Sequence, residues 1–197
     1  AQAAEVLEMG NISLDGSKVH ADASKSKAVS YKRLLEIEKR LQSGVEELFA
    51  LEHQVEQAEL ADGLDIATEI TFRRGQLISL SQAKAVLEAR AEERYQAELA
   101  EYEAKMAERE EKAKKTGRKP RGPTPKPPTP GARDKDQYNF TDPESRIMKN
   151  SNNGGFDQHY NVQIAVEQSS LLIVANTLSN HPNDKQEAIP TLDAIPP

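Results

Sequence analysis

The stretch from Asp142 to Asp184 constrains this chain most, because it alternates like a strand, breaks, and resumes as an apolar run. Tyr160, Val162, Ile164 and Val166 alternate with Asn161, Gln163, Ala165 and Glu167, which predicts a strand with the first set on its buried face. Gln168, Ser169 and Ser170 make a polar break. Leu171 to Ala175 then reads as a short strand buried on both faces. Adjacent strands with a short polar turn most often pair antiparallel. A two-stranded hairpin alone is marginal in water, so this one needs a partner.

The candidate partner lies near the start. Ile12 and Leu14 alternate with polar neighbours up to Asp15-Gly16, and Val19 and Ala21 continue beyond. The residues alone leave two readings open. One is a second hairpin with an Asp-Gly turn, which is favoured because Asp-Gly is among the commonest turn pairs. The other is a strand delivering Asp15 at its end, where a carboxylate can hold a metal.

Between these stretches the pattern turns helical. Leu34, Ile37, Leu41, Leu48, Leu51 and Val55 recur on a seven-residue repeat, with Gly44 and Ala58 filling seam positions. Ser24 or Ser26 is placed to cap this helix, and Ala61-Asp62-Gly63 reads as its stop and turn. A second helix is expected over roughly 66–115, with Ile70, Leu77, Leu80, Leu87 and Ala91 on one seam. Tyr95, Leu99, Tyr102 and Met106 continue it after a phase slip. A short connection makes the two antiparallel neighbours, and the longer second helix should overhang the first.

Residues 112–135 change character again. Six of the eleven prolines fall here, and Lys112, Lys114, Lys115, Arg118, Lys119, Arg121 and Lys126 make it the one strongly basic segment. Proline fixes φ and removes an amide donor, so an extended, mobile arm is expected. Such an arm suits a soluble linker and also suits a phosphate backbone. Beyond it, Asp142-Pro143-Glu144-Ser145-Arg146 reads as a polar turn opening a helix, Gly154-Gly155 as a turn, and Asn183 with Gln186 as the start of a short helix over 184–194, interrupted near Pro190.

Composition narrows the function classes. The net charge of −6 over 197 residues excludes a simple polyanion binder, leaving only local basic patches. Cysteine is absent, so there is no disulfide framework and no thiolate metal site. The longest apolar run is about five residues, against roughly 20 for a bilayer span, so no membrane partner is expected. The four histidines are scattered without paired helical spacing. Outside the helices and linker only about 80 residues remain, a marginal core, which predicts the opening part of a larger fold.

Taken in order, Leu14-Asp15-Gly16-Ser17-Lys18, the helical insertion, Asp142-Pro143-Glu144-Ser145-Arg146-Ile147-Met148-Lys149, Tyr160-Asn161-Val162-Gln163-Ile164-Ala165-Val166, and Pro182-Asn183-Asp184-Lys185 resemble the DDE transposases of bacterial insertion sequences. The similarity is to the branch with a long helical insertion after the first catalytic strand. It implies an α/β fold: a partial RNase H-like mixed sheet with an inserted antiparallel coiled-coil helical hairpin. The parts would be residues 1–23, the helical hairpin 24–115, a Pro-rich basic linker 116–137, and the second part of the catalytic domain, 138–197.

The resemblance further implies metal-dependent phosphodiester cleavage and strand transfer. In that family two Asp and one Glu hold two Mg²⁺ ions about 3.5–4 Å apart, and hard cations of this kind take oxygen ligands. Asp15 matches the first Asp, in a DGT-like motif with Ser17 for the usual Thr. Asp184 and Asp193 do not match the second, so the implied object is a fragment, inactive alone. Its expected partner is DNA at the element ends, contacted by Lys115, Arg118, Lys119 and Arg121. Self-association through the helical hairpin and a bacterial cytoplasmic location complete the expectation. The alternative is a non-enzymatic coiled-coil interaction protein with a basic nucleic-acid-binding arm.

Overall fold

Antiparallel pairing across a long insertion builds the first of two units. The computed structural model describes residues 10–55, 65–150 and 154–196. One unit takes the chain up to Ala28 and from Gln137 onward; the other is Val29–Asp136. The fold is mixed α and β with antiparallel sheets and one very long helix. Among the described residues no helix is long and apolar enough to cross a membrane.

The sheet unit is organised on strand β5 (Phe156–Glu167). β1 (Ile12–His20) pairs with it antiparallel, from Ile12 opposite Glu167 to His20 opposite His159. β6 (Ile173–Ser179) and β4 (Arg146–Lys149) also run antiparallel to it. Asn161 is partnered by both Lys18 and Ser179, and His159 by both His20 and Arg146. A strand residue has two edges, so β4 and β6 lie end to end along the edge of β5 opposite β1. Two three-residue strands, β2 (Ala28–Ser30) and β3 (Gln137–Asn139), stand where the chain leaves and re-enters this unit.

β1 corrects both readings of Asp15-Gly16. There is no turn, and Asp15 does not end a strand: nine residues run straight through. An Asp-Gly hairpin turn needs positive φ, and Gly16 does not adopt it. It sits in register with Gln163.

The faces of β5 are inverted relative to the alternation. Asn161, Gln163, Ala165 and Glu167 are the buried set, while Tyr160, Val162, Ile164 and Val166 are only half-buried. The cause is the segment after β6. A short 3-10 turn (Asp184–Gln186) and α3 (Ala188–Asp193) pack on the amide-bearing side and satisfy its polar groups. Burial of hydrogen-bonded amides costs little, so alternation alone does not decide which side is covered.

β6 likewise departs from a strand buried on both faces. It starts only at Ile173, and Ile173 and Leu178 are 62% and 64% exposed. Leu171 and Leu172 are spent in the connection. The Leu171 amide donates to Glu167 O and the Glu167 amide to Leu172 O, which sets Leu171 at φ 57. Asp142-Pro143-Glu144-Ser145 opens strand β4, not a helix, because its turn leads directly into pairing with β5. The 184–194 helix divides at Glu187, ahead of Pro190, which sits in the first turn of α3 where a missing amide is harmless.

The helical unit contains α1 (Tyr31–Val55) and α2 (Ile66–Thr116). α1 begins later than the sequence pattern indicates. Ser24 precedes a 3-10 turn (Lys25–Lys27) that contains Ser26, and Ser30 Oγ accepts from the Arg33 amide instead. The expected stop at residues 61–63 lies outside the described residues. Contacts between the helices run in opposite directions: Tyr31 Oη donates to Glu88, Lys84 pairs with Glu38, Arg73 donates to Gly44 O, and Leu48 packs with Ile66 and Ile70. Leu34, Leu80, Ala83, Leu87 and Ala91 fill the shared core, as does Val45, which the seven-residue pattern passes over. Leu51, a seam position by pattern, is exposed.

The far half of α2 is not a bare overhang. No helix or strand forms between Gly117 and Asp136, yet this limb lies back along α2. Arg109 donates to Gly122 O, Arg94 to Gly131 O and to both oxygens of Asp136, and Arg133 makes a forked pair with Glu98. Pro125 and Pro128 line one shallow groove with Tyr102. The lengths agree. Fifteen residues of helix span roughly 22 Å, and nine residues of extended Pro-rich chain span roughly 28 Å. Tyr95, Leu99, Tyr102 and Met106 are half-buried.

Gly75 lies within α2 with nothing near its Cα hydrogens that a methyl would meet. Gly75→Ala should therefore stabilise the helical unit by about 0.5–1 kcal/mol, read from urea unfolding followed by helical circular dichroism.

Candidate functional site

Asp15 occupies the middle of β1 on the half-open face, opposite Ile164, whose other neighbour is Asn176 of β6. Alternation puts Ser13 and Ser17 on the same side of β1. The side chain is exposed and makes no ion pair with a described residue; it accepts a hydrogen bond from the Gly16 amide at 2.9 Å. An exposed carboxylate on a regular strand keeps most of its lone pairs available. It supplies one hard oxygen ligand.

That is less than a two-metal centre. Among the described residues no three His, Asp or Glu side chains gather as a metal-holding group. The residues present do not by themselves fit a pair of Mg²⁺ ions, and no cleavage step follows from them.

Behind Asp15, on the covered side, lies a polar cluster that the sequence reading did not promote. Asp184 Oδ1 accepts from Asn161 Nδ2 at 2.8 Å and Gln163 Nε2 at 2.6 Å. Asn161 Nδ2 also donates to His181 O, and Gln163 Nε2 to Asn161 Oδ1. A Cβ at Gly16 would overlap Gln163 Nε2 and Asp184 Oδ1. Gly16 is thus required by close approach across the sheet, and not by a turn. Asn183 Oδ1 caps the Lys185 amide, and His181 Nδ1 lies 2.6 Å from the buried Glu187. The signal for this cluster was present in the sequence: two amides spaced by two on one strand, and Asn183-Asp184 after the next.

Two carboxylates build the turns that hold β5. Asp142 accepts from the Glu144 and Ser145 amides and from Tyr160 Oη at 2.8 Å. Burial, aided by that carboxylate, pushes the Tyr160 phenol up to about 12. Glu167, itself buried, accepts from Ser170 Oγ and from the Ser169 and Ser170 amides. These donors, the Ser170 hydroxyl first, hold its carboxyl down at about 2. A carboxyl depressed on folding contributes stability that is present above about pH 4.5 and is lost as pH falls through about 2. Glu167→Gln should lower the urea midpoint at neutral pH, and the gap from wild type should close between about pH 4.5 and 2.

The histidines also behave differently from their spacing. His20 and His159 stand opposite each other on β1 and β5 with ring centroids 4.3 Å apart. His159 Nδ1 lies 2.9 Å from Asp157 O.

The expected DNA-contacting residues sit together at the far end of α2. Gly117, at φ 62, closes the helix with its amide on Ala113 O, and Gly122, at φ 93, turns the chain back. Lys115, Arg118, Lys119 and Arg121 are all exposed. Lys115 pairs with Glu111 one turn earlier, whereas Arg118, Lys119 and Arg121 make no ion pair with a described residue.

Comparison of the chain with protein-family models, with curated proteins and with solved structures returns no match.

Proposed function

We propose that this chain is part of a DDE-type transposase of a bacterial insertion sequence, with the sheet unit as a portion of an RNase H-like domain and α1 and α2 as an inserted antiparallel coiled-coil hairpin. The observation that carries the reading is the exposed carboxylate of Asp15, which makes no ion pair with a described residue, on a strand that joins β5 across the whole helical insertion. Asp15 would be one of the oxygen ligands for Mg²⁺. Ser17 beside it, the Asp142–Ser145 turn and the Asn183-Asp184 corner occupy the positions that carry the resemblance. The partner is DNA, engaged by Lys115, Arg118, Lys119 and Arg121, in a bacterial cytoplasm. Self-association through α1 and α2 is the second partner proposed, and Phe72 and Ile78 on α2 are exposed apolar residues suited to it.

With one matched carboxylate, the chain alone should not nick DNA in Mg²⁺ or Mn²⁺. Nicking that Asp15→Ala abolishes would overturn that expectation. The transposase reading itself is tested by the DNA following the codon for Pro197. An Asp-Gly-Tyr-like strand and a later helix bearing Tyr, Arg, Glu and Lys support it. Unrelated sequence, without flanking inverted repeats, contradicts it and favours the helical interaction protein.

A further inference from the structure

The basic end of α2 is a shaped object and not a loose tail. From Lys112 to Lys126 there are seven cations and no acid. Lys112 and Lys115 are tied to Glu108 and Glu111 on the helix. Lys114, Arg118, Lys119, Arg121 and Lys126 make no ion pair with a described residue and are exposed. A negative helix C-terminus would oppose an anion there. Two of the terminal carbonyls are already occupied, Ala113 O by the Gly117 amide and Lys112 O by Thr116 Oγ1.

Four attachments return the limb to the helix. Arg109 holds Gly122 O, the ring of Tyr102 shares a groove with Pro125 and Pro128, Glu98 takes the Arg133 fork, and Asp136 takes Arg94. The two acids act through these pairs and do not belong to the cationic tip. The loop from Gly117 to Gly122 therefore has both ends fixed, with three cations between them. No Phe, Tyr, Trp or His occurs between Met106 and Tyr138, so the segment has no stacking platform for unpaired bases. A duplex offers about one phosphate charge per 1.7 Å of axis and needs none.

We propose that the tip of the helical unit is a sequence-blind clamp for the phosphate backbone of duplex DNA, and that the docked Pro-rich limb keeps it in the binding form. This rests on the DNA-binding reading above and adds how the site is regulated: undocking the limb switches affinity down without removing a cation.

The test is fluorescence anisotropy of the full chain with an arbitrary duplex of about 30 base pairs, from roughly 50 to 200 mM salt. Glu98→Ala with Asp136→Ala removes the two acids that anchor the limb and makes the protein more positive. If the limb preorganises the clamp, this variant binds on the order of tenfold more weakly. Equal or tighter binding, with helical content unchanged by circular dichroism, overturns the proposal. Arg118→Ala, Lys119→Ala and Arg121→Ala together report on the underlying DNA reading, and should cut the salt slope by about 2.7. If wild type shows no duplex binding, or this triple variant matches it, the DNA reading fails whatever the anchor variant does. A single strand or polyglutamate that competes as well as duplex overturns the choice of ligand.

Discussion

Gly16→Ala is expected to destabilise the sheet unit by about 1–3 kcal/mol, although the change adds one methyl to an exposed-looking strand. The new Cβ would overlap Gln163 Nε2 and Asp184 Oδ1. Those atoms are side-chain tips, which ordinarily move aside cheaply. Here Gln163 Nε2 donates to Asp184 Oδ1, both are also bonded to Asn161, and both amides are buried. Moving either one leaves a buried amide short of an acceptor, which costs about 1–3 kcal/mol. Asp184→Ala alone should cost a similar amount for the same reason. The two changes should be less than additive when combined, because each removes the constraint that the other violates. Amide hydrogen exchange at Val162 and Ile164 reads the sheet unit directly. Full additivity would show that Asp184 and Gly16 do not meet.

The largest single effect is expected in the helical unit. Leu87 is 2% exposed and sits where α2 faces the start of α1, beside the Tyr31–Glu88 hydrogen bond. Leu87→Ala removes buried methyl groups and leaves a cavity, so about 2–5 kcal/mol of stability should be lost. Ile78, on the same helix, is 61% exposed. Ile78→Ala should change stability by no more than about 0.5 kcal/mol. Urea unfolding by circular dichroism separates them, and equal losses would contradict the assigned helix faces.

The seven-residue repeat made α1 and α2 legible, because a helix shows its buried stripe in its own sequence. Leu34, Leu48, Ile70, Leu80, Leu87 and Ala91 are buried as their spacing indicates. β1, β5 and part of β6 are legible as strands, whereas β4 reads as a helix, and the hairpin's partner is legible near Ile12–Leu14 without its direction. What alternation does not encode is which side a later segment covers. Asn161 and Gln163 became the buried side because Asp184 arrives with a carboxylate for both. That fact sits about twenty residues further on and in three dimensions. The Pro-rich limb was legible as extended. Its docking was not, because it depends on Glu98, Arg94 and Tyr102 presenting themselves along a helix already formed.

Asp15 stands in a DGT-like motif, is exposed, and makes no ion pair with a described residue, which suits a metal ligand better than a turn residue. The direct measurement is Mn²⁺ titration of the isotope-labelled chain, with amide line broadening followed in the sheet unit. If Asp15 is a metal ligand, the amides of Leu14, Asp15, Gly16 and the facing Ile164 broaden first within that unit, and Asp15→Asn removes the effect. Broadening in the sheet unit that is unchanged by Asp15→Asn would contradict the account.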